Sequence, residues 1–191
     1  MFQDFFWLNE PAQNTVGSDS LTLVTEDRTD FWQTTFYGFR RDNGHAFLAP
    51  VAGDFTISAT VIGDYSALYD QAGLMLRIDE RNWIKAGIEF TDGLMHFSVV
   101  VTRDLSDWSV MPLPDAKPSD PVAVRLTRHG DAVRVQYSIE GRPWQMARLA
   151  PFSDAPARAG VMACSPERAG FEARFSEVRI GPAIARQLHA D

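Results

Sequence analysis

Three consecutive stretches alternate so strictly that they leave little choice of fold. In the first, Ala72, Leu74, Leu76 and Ile78 fall on one side, with Gln71, Gly73, Met75 and Arg77 on the other. In the second, Ile84, Ala86, Ile88 and Phe90 oppose Trp83, Lys85, Gly87 and Glu89. In the third, Met95, Phe97, Val99 and Val101 oppose His96, Ser98, Val100 and Thr102. A sustained period of two is the pattern of half-buried antiparallel strands. Three strands are expected, with one apolar face and one face rich in functional side chains.

Turn chemistry sets the expected pairing. Asp92-Gly93 suits a two-residue hairpin, whose central positions need positive φ. It pairs Phe90 with Met95, Glu89 with His96, Gly87 with Ser98, Lys85 with Val100 and Trp83 with Thr102. A three-residue loop at Glu80-Arg81-Asn82 would pair Arg77 with Lys85, Met75 with Gly87 and Gly73 with Glu89. Slipping by one residue would bury the polar set, so the choice of face is well specified.

The functional face then carries Gln71, Arg77, Trp83, Lys85, Glu89, His96, Ser98 and Thr102. Gly73 and Gly87 remove bulk among them and leave a depression. A surface sheet with offsetting charges is the plainer reading. The glycines and the tryptophan favour a groove for a polar ligand. Arg77 beside Lys85 is unfavourable unless an anion lies between them, either Glu89 or a bound carboxylate or phosphate. Glu89 opposite His96 reads as an acid/base pair or as a structural ion pair.

At 191 residues the chain suits one domain with a substantial core, and its thirteen Phe and five Trp suit a two-sheet sandwich. Eighteen Lys and Arg against 25 Asp and Glu give a net charge of −7 without a basic cluster, so no nucleic-acid partner is expected. The single cysteine, Cys164, precludes an intrachain disulfide and reads as a core residue. The first residues lack a basic, then apolar, leader pattern, and no stretch approaches membrane-spanning length. The expectation is a cytoplasmic protein without a membrane partner.

Residues 1–16 carry Phe5, Phe6, Trp7 and Leu8, which should dock on the core. Leu21 to Thr25 and Phe55 to Ile62 read as strands. Asp30 to Phe39 is polar and aromatic without a clean period. It either offers stacking surfaces to a sugar-like ring, through Trp32 and Tyr37, or plugs one end of the fold. Asp42 to His45 reads as a turn, Gly63 to Leu68 as a loop, Arg103 to Ser109 as a polar loop, and the proline-rich Met111 to Pro121 as a connector. Val122 to Arg128 pairs with Ala132 to Ser138, and Trp144 to Leu149 and Gly160 to Cys164 follow as strands. Phe171 to Ile180 closes the fold with a change of phase after Phe175 that predicts a bulge. Residues 183–191 read as a short helical tail. Many short strands with frequent turns imply an all-β sandwich over 1–191.

The runs Asp30 to Phe39, Tyr69 to Arg77, Trp83 to Phe90, Ser98 to Thr102 and Ser106-Asp107-Trp108-Ser109 together resemble a concanavalin A-like family. This family is labelled "regulation of enolase" and is a domain of unknown function in bacteria and fungi. The resemblance runs from Trp7 to the closing strand. It implies a jelly-roll sandwich of two curved antiparallel sheets, with any ligand in the concave face, and no established reaction. Gly160 to Ile180 is similar, more distantly, to the end of carbohydrate-binding jelly rolls and laminarinase-type hydrolases, a likeness of fold alone.

Hydrolases of this fold place carboxylates as Glu-x-Asp-x-x-Glu on one strand, a string this chain lacks. An enzyme would need Glu89 with Asp30, Asp70 or Asp107 across strands. His45, His96, His129 and His189 lack metal-ligand spacing, so no metal site is expected. Asp64 and Asp70 flank a loop that either caps itself or holds calcium. The reading is therefore non-catalytic binding of a saccharide or other polar or anionic small molecule. Gln71, Arg77, Lys85, Glu89, His96 and Ser98 would make polar contacts, and Trp32, Tyr37, Trp83 and Trp108 would stack. A carbohydrate-active enzyme and a protein-interaction module, as a homodimer, are the alternatives.

Overall fold

The computed structural model describes residues 2–188, and every regular element among them is a strand. In chain order these are β1 (Phe6–Leu8), β2 (Gln13–Val16), β3 (Leu21–Val24), β4 (Phe31–Gln33), β5 (Arg40–Asp42), β6 (His45–Val51), β7 (Phe55–Gly63) and β8 (Gln71–Arg77). They continue as β9 (Asn82–Thr91), β10 (Leu94–Arg103), β11 (Leu105–Pro112), β12 (Val122–His129), β13 (Ala132–Ile139), β14 (Gln145–Pro151), β15 (Ala157–Cys164) and β16 (Glu172–Gly181). A front sheet of seven strands runs β1-β6-β15-β8-β9-β10-β11. A back sheet of seven runs β14-β13-β12-β7-β16-β3-β2, and β4 with β5 forms a separate hairpin.

The predicted apolar face is the core. Leu74 and Leu76 of β8, Ile84 and Ile88 of β9, and Phe97 and Val99 of β10 meet Ile57 and Val61 of β7, Leu126 of β12 and Val135 of β13, all essentially without solvent exposure. At the N-terminus Phe2, Phe5 and Trp7 close around Phe47, with ring centroids 5.5, 5.3 and 4.7 Å from it, so the segment docks as expected. Phe6 alternates outward. The closing strand shifts register between Ser176 and Arg179, which is the predicted bulge, and Glu177 there has φ 54°.

The β9–β10 register is the predicted one throughout. The β8–β9 register is displaced by two residues. Gln71 faces Glu89, Gly73 faces Gly87, Met75 faces Lys85 and Arg77 faces Trp83. A shift of two keeps every side chain on its face, so alternation cannot detect it; the turn decides. Asp79 organises that turn by accepting from the Arg81 amide and the Asn82 side chain, while Ile78 N–H donates to Asn82 O at 2.9 Å. Arg77 and Lys85 are therefore not opposed, and the argument for an anion between them falls.

Three other expectations need correction. Leu105 to Pro112 is strand β11, not a polar loop; its mixed composition hid an edge strand turned at Asp104, φ 61°. The turn expected over Asp42 to His45 is shorter: Asp42 ends β5 and His45 begins β6, which lies between β1 and β15 in the front sheet. Residues 183–188 form no helix, and 189–191, with His189, lie outside the described residues. Tail carbonyls are taken up by Arg134, whose guanidinium donates to Gln187 O at 2.8 Å and Ala185 O at 2.9 Å.

Gly73 and Gly87 bring β8 and β9 unusually close. A Cβ at Gly73 would stand 2.6 Å from the Gly87 Cα and collide with the Ala86 carbonyl. Gly73→Ala should cost about 1–3 kcal/mol in urea unfolding, as overpacking does. Gly181→Ala, where a Cβ meets nothing within 4 Å, should stay within about 0.5 kcal/mol of wild type.

Candidate functional site

The outer face of the front sheet is not open to solvent. Nine of its polar or bulky residues, Gln71, Met75, Arg77, Trp83, Lys85, Glu89, His96, Ser98 and Thr102, are all buried. The β4–β5 hairpin lies over them. Phe31 and Trp32 pack with Met75, Trp83, Val100, Met162 and Cys164 into a second, smaller apolar cluster. The aromatic stretch lies over the face of the front sheet rather than over one end of the sandwich. Phe31 is a plug, while Trp32 and Tyr37 border a cavity.

Polar side chains fasten the hairpin down. Lys85 Nζ donates to Asp30 Oδ1 at 3.0 Å and to the Phe31 carbonyl at 2.8 Å. Arg77 grips Asp42 with two bonds of 2.7 Å. Ser106, held by Thr102 at 2.9 Å, accepts from the Gln33 amide at 2.9 Å, and the Gln33 side chain reaches Glu80 O. Much of the functional face thus serves to dock a lid of the protein's own chain.

This changes the standing of several predicted residues. Arg77 is occupied by Asp42. Trp83 is fully buried, donates to Glu80 O at 3.1 Å and offers no stacking surface. His96 keeps its Nδ1 against its own strand at Leu94 O, and no ion pair or hydrogen bond joins it to Glu89 among the described residues. Ser98 lies beneath the Trp108 indole, accepting its N–H at 3.1 Å. Asp70 is fully buried and spent on Arg168 and on the amides of Ser66 and Ala67. The Arg168 guanidinium also binds Asp64, so it stands where a calcium ion between the two aspartates would have to be. Asp107 faces away from the site and binds Arg148 of β14 at 2.5 Å. Among the described residues no group of three or more His, Cys, Asp and Glu is placed to hold a metal ion.

Between lid and sheet remains a cavity of about 170 Å³. Its walls are aromatic: Trp32, Tyr37, Phe39, Tyr69 and Trp108. The sheet contributes Gln71, Lys85, Glu89 and Val100, and the lid contributes Asp30. The more exposed Arg41 and Glu167 lie at its mouth beside Pro166. The cavity brings together six predicted residues, Trp32, Tyr37, Gln71, Lys85, Glu89 and Trp108. Asp30 joins Glu89 there as the one proposed second carboxylate that does. Phe39, Arg41, Tyr69, Pro166 and Glu167 were missed, because nothing in the local pattern announces that the 30–42 segment folds back over the sheet.

The rings brace one another. Trp32 meets Trp108 edge to face at 6.2 Å and Tyr37 at 5.7 Å; Tyr37 stacks on Phe39 at 5.5 Å. Tyr37 and Tyr69 hydroxyls lie 3.1 Å apart, linking the lid tip to the sheet. That bond, with burial, pushes the Tyr69 phenol up to about 12. Thr34, Phe36 and Tyr69 all hold positive φ, at 63°, 62° and 65°. Such backbone costs about 1–3 kcal/mol per residue and clusters at functional sites.

Burial holds the Glu89 carboxyl above its usual range; the Lys85 charge and hydrogen bonds from Ser98 and Trp108 pull the other way without cancelling it. For Lys85, burial opposes the charge, but the Asp30 carboxylate more than offsets it and the ammonium is held above its usual value. Cys164 is buried and its thiol is pushed up by that burial, which removes it as a nucleophile.

A raised carboxyl pKa in the folded state means that the native protein binds that proton more tightly than the unfolded chain. Stability is therefore undiminished below the ordinary carboxylate range and is lost as pH rises through the folded value. Glu89→Gln should match wild type near pH 4 and exceed it at pH 7, by about 1.4 kcal/mol for each unit of upward shift. Urea titrations at the two pH values check this.

The family model described as "Protein of unknown function (DUF1349)" matches residues 7–183. "Regulation of enolase protein 1" of Saccharomyces cerevisiae is 41% identical over 184 residues, which is 96% of this chain and 92% of that protein. A crystal structure of a functionally unknown protein from Saccharomyces cerevisiae superposes with a TM-score of 0.91 at 39% identity, covering 96% of this chain and 99% of that one. A bifunctional GH43-CE protein of Bacteroides eggerthii gives 0.70 at 17% identity, covering 96% of this chain and 24% of the larger one. The latter likeness is one of fold. With two antiparallel sheets in a concanavalin A-like sandwich and a family match across nearly its whole length, this chain belongs to the DUF1349 family.

Proposed function

We propose that the cavity binds a single sugar-sized polar ring and that the protein is a binding module rather than a catalyst. The observation that carries this reading is the composition of the cavity wall. Five aromatic side chains surround a floor of Asp30, Gln71, Lys85 and Glu89. Sugars present apolar C–H faces that pack on rings and hydroxyls that need charged or amide partners, and such a wall supplies both. At about 170 Å³ the space lies below the ~300–1,000 Å³ of drug-sized sites, which favours one ring over an oligosaccharide.

A second reading is favoured by one observation. Asp30 and Glu89 line the same cavity, and two carboxyl groups facing one space, one of them raised by burial, are what a glycoside hydrolase would need. Against it, Asp30 Oδ1 already accepts from both Lys85 Nζ and the Phe31 amide, which suits an anchor better than a nucleophile.

A thermal-shift screen against monosaccharides, disaccharides and aryl glycosides tests both readings. A monosaccharide at a hundred times its Kd should stabilise by about 2.7 kcal/mol. Trp108→Ala should weaken it by about tenfold, the loss of one good ring contact. No shift with any saccharide would sink the binding reading, and aryl glycoside turnover abolished in Glu89→Gln would replace it with the hydrolase.

A further inference from the structure

We infer that the ring taken by this cavity is an amino sugar, with its ammonium group set against Glu89. The inference rests on the binding reading above and adds the charge of the ligand. Hydrogen-bond bookkeeping around the wall leads to it.

Most donors of the wall are already engaged within the protein. Lys85 is committed to Asp30 and the Phe31 carbonyl. The Trp32 indole donates to Thr35 O at 3.0 Å and the Trp108 indole to Ser98 Oγ at 3.1 Å. The Gln71 amide donates to Tyr69 O at 3.2 Å. On the floor the capacity in excess is that of acceptors: Asp30 Oδ2, the Gln71 amide oxygen, and the Glu89 carboxyl beyond what Ser98 and Trp108 give it. A matching ligand must be rich in donors.

Charge points the same way. On the floor one ammonium, Lys85, faces two carboxylates, Asp30 and Glu89. At the mouth Arg41, stacked 4.7 Å over Phe39, and Glu167 offset each other. Lys85 is hydrogen-bonded to Asp30, so among the described residues Glu89 has no hydrogen-bonded cation of its own in a space walled by rings. Ring faces attract cations as readily as they pack sugar C–H groups. The upward push that burial gives the Glu89 carboxyl is what an arriving cation would relieve. A neutral hexose would fill the acceptors and leave the charge; a phosphate ester or acid would add repulsion. An ammonium group satisfies both demands, through a charge-assisted bond about twice as strong as a neutral one.

Titration calorimetry on the full chain, at about pH 6.5 where an amine among hydroxyls is mostly protonated, tests this with matched pairs. The pairs are glucosamine and glucose, galactosamine and galactose, and mannosamine and mannose, with glucose 6-phosphate as the anion. At least one amino sugar should bind about tenfold tighter than its hydroxyl counterpart, the phosphate should bind worst, and Glu89→Gln should shrink that ratio. Equal affinity within every pair, or preference for the phosphate, overturns the charge assignment and leaves the sugar reading standing. Binding by none of the seven overturns both. Glu167→Gln, at the exposed mouth, is the second variant. If it abolishes the preference while Glu89→Gln keeps it, the placement of the ammonium at Glu89 is overturned.

Discussion

The bond from Lys85 Nζ to Asp30 and the Phe31 carbonyl is the interaction on which the site depends. A lysine in the middle of a sheet needs either water or a partner. Here the partner comes from 55 residues upstream, on a segment that is not part of either large sheet. Taking both charges out of water is costly, and their attraction repays it only with good geometry and further hydrogen bonds. The Phe31 carbonyl and the Phe31 amide on Asp30 supply those bonds. The pair therefore contributes position more than stability: it fixes where the lid sits, and with it the walls of the cavity.

The consequences spread outward from that anchor. With Asp30 held, Phe31 drops into the apolar cluster over Trp83, and Trp32 is presented to Trp108. The lid tip then reaches Tyr69 through Tyr37. Strained backbone at Thr34, Phe36 and Tyr69 persists because hydrogen bonds and rings on both sides over-determine it. Glu89 is left with its carboxyl held above its usual range by burial, and it lines the cavity beside Lys85.

What could be read in the sequence followed from periodicity. Alternation identified the core face of β8, β9 and β10, and Asp92-Gly93 identified one register correctly, because the turn and the pattern agreed. The neighbouring register escaped by two residues, since alternation is blind to even shifts and Asp79 shaped the turn through side-chain bonds. Five cavity residues were legible because they lie on strands of the alternating face or in the aromatic run, while Trp108 was named as an aromatic of the loop expected at the end of that face. The lid was not legible. Arg77 and Trp83 look like ligand groups from their own strands, and only the long-range return of residues 30–42 turns them into fastener and filler; Ser98 is taken up by Trp108 of β11. Edge strands such as β11 were missed for a related reason: half-exposed composition carries little period.

Hydrogen exchange of Lys85→Met against wild type tests the central claim most directly, because it reads the lid segment by segment. If Lys85 anchors the lid, amides of Phe31–Gln33 and Arg40–Asp42 should exchange faster in the variant, while β7 and β12 of the back sheet keep their protection. Unchanged protection of the lid, or an equal loss across both sheets, would contradict the account and make Lys85 an ordinary part of the core.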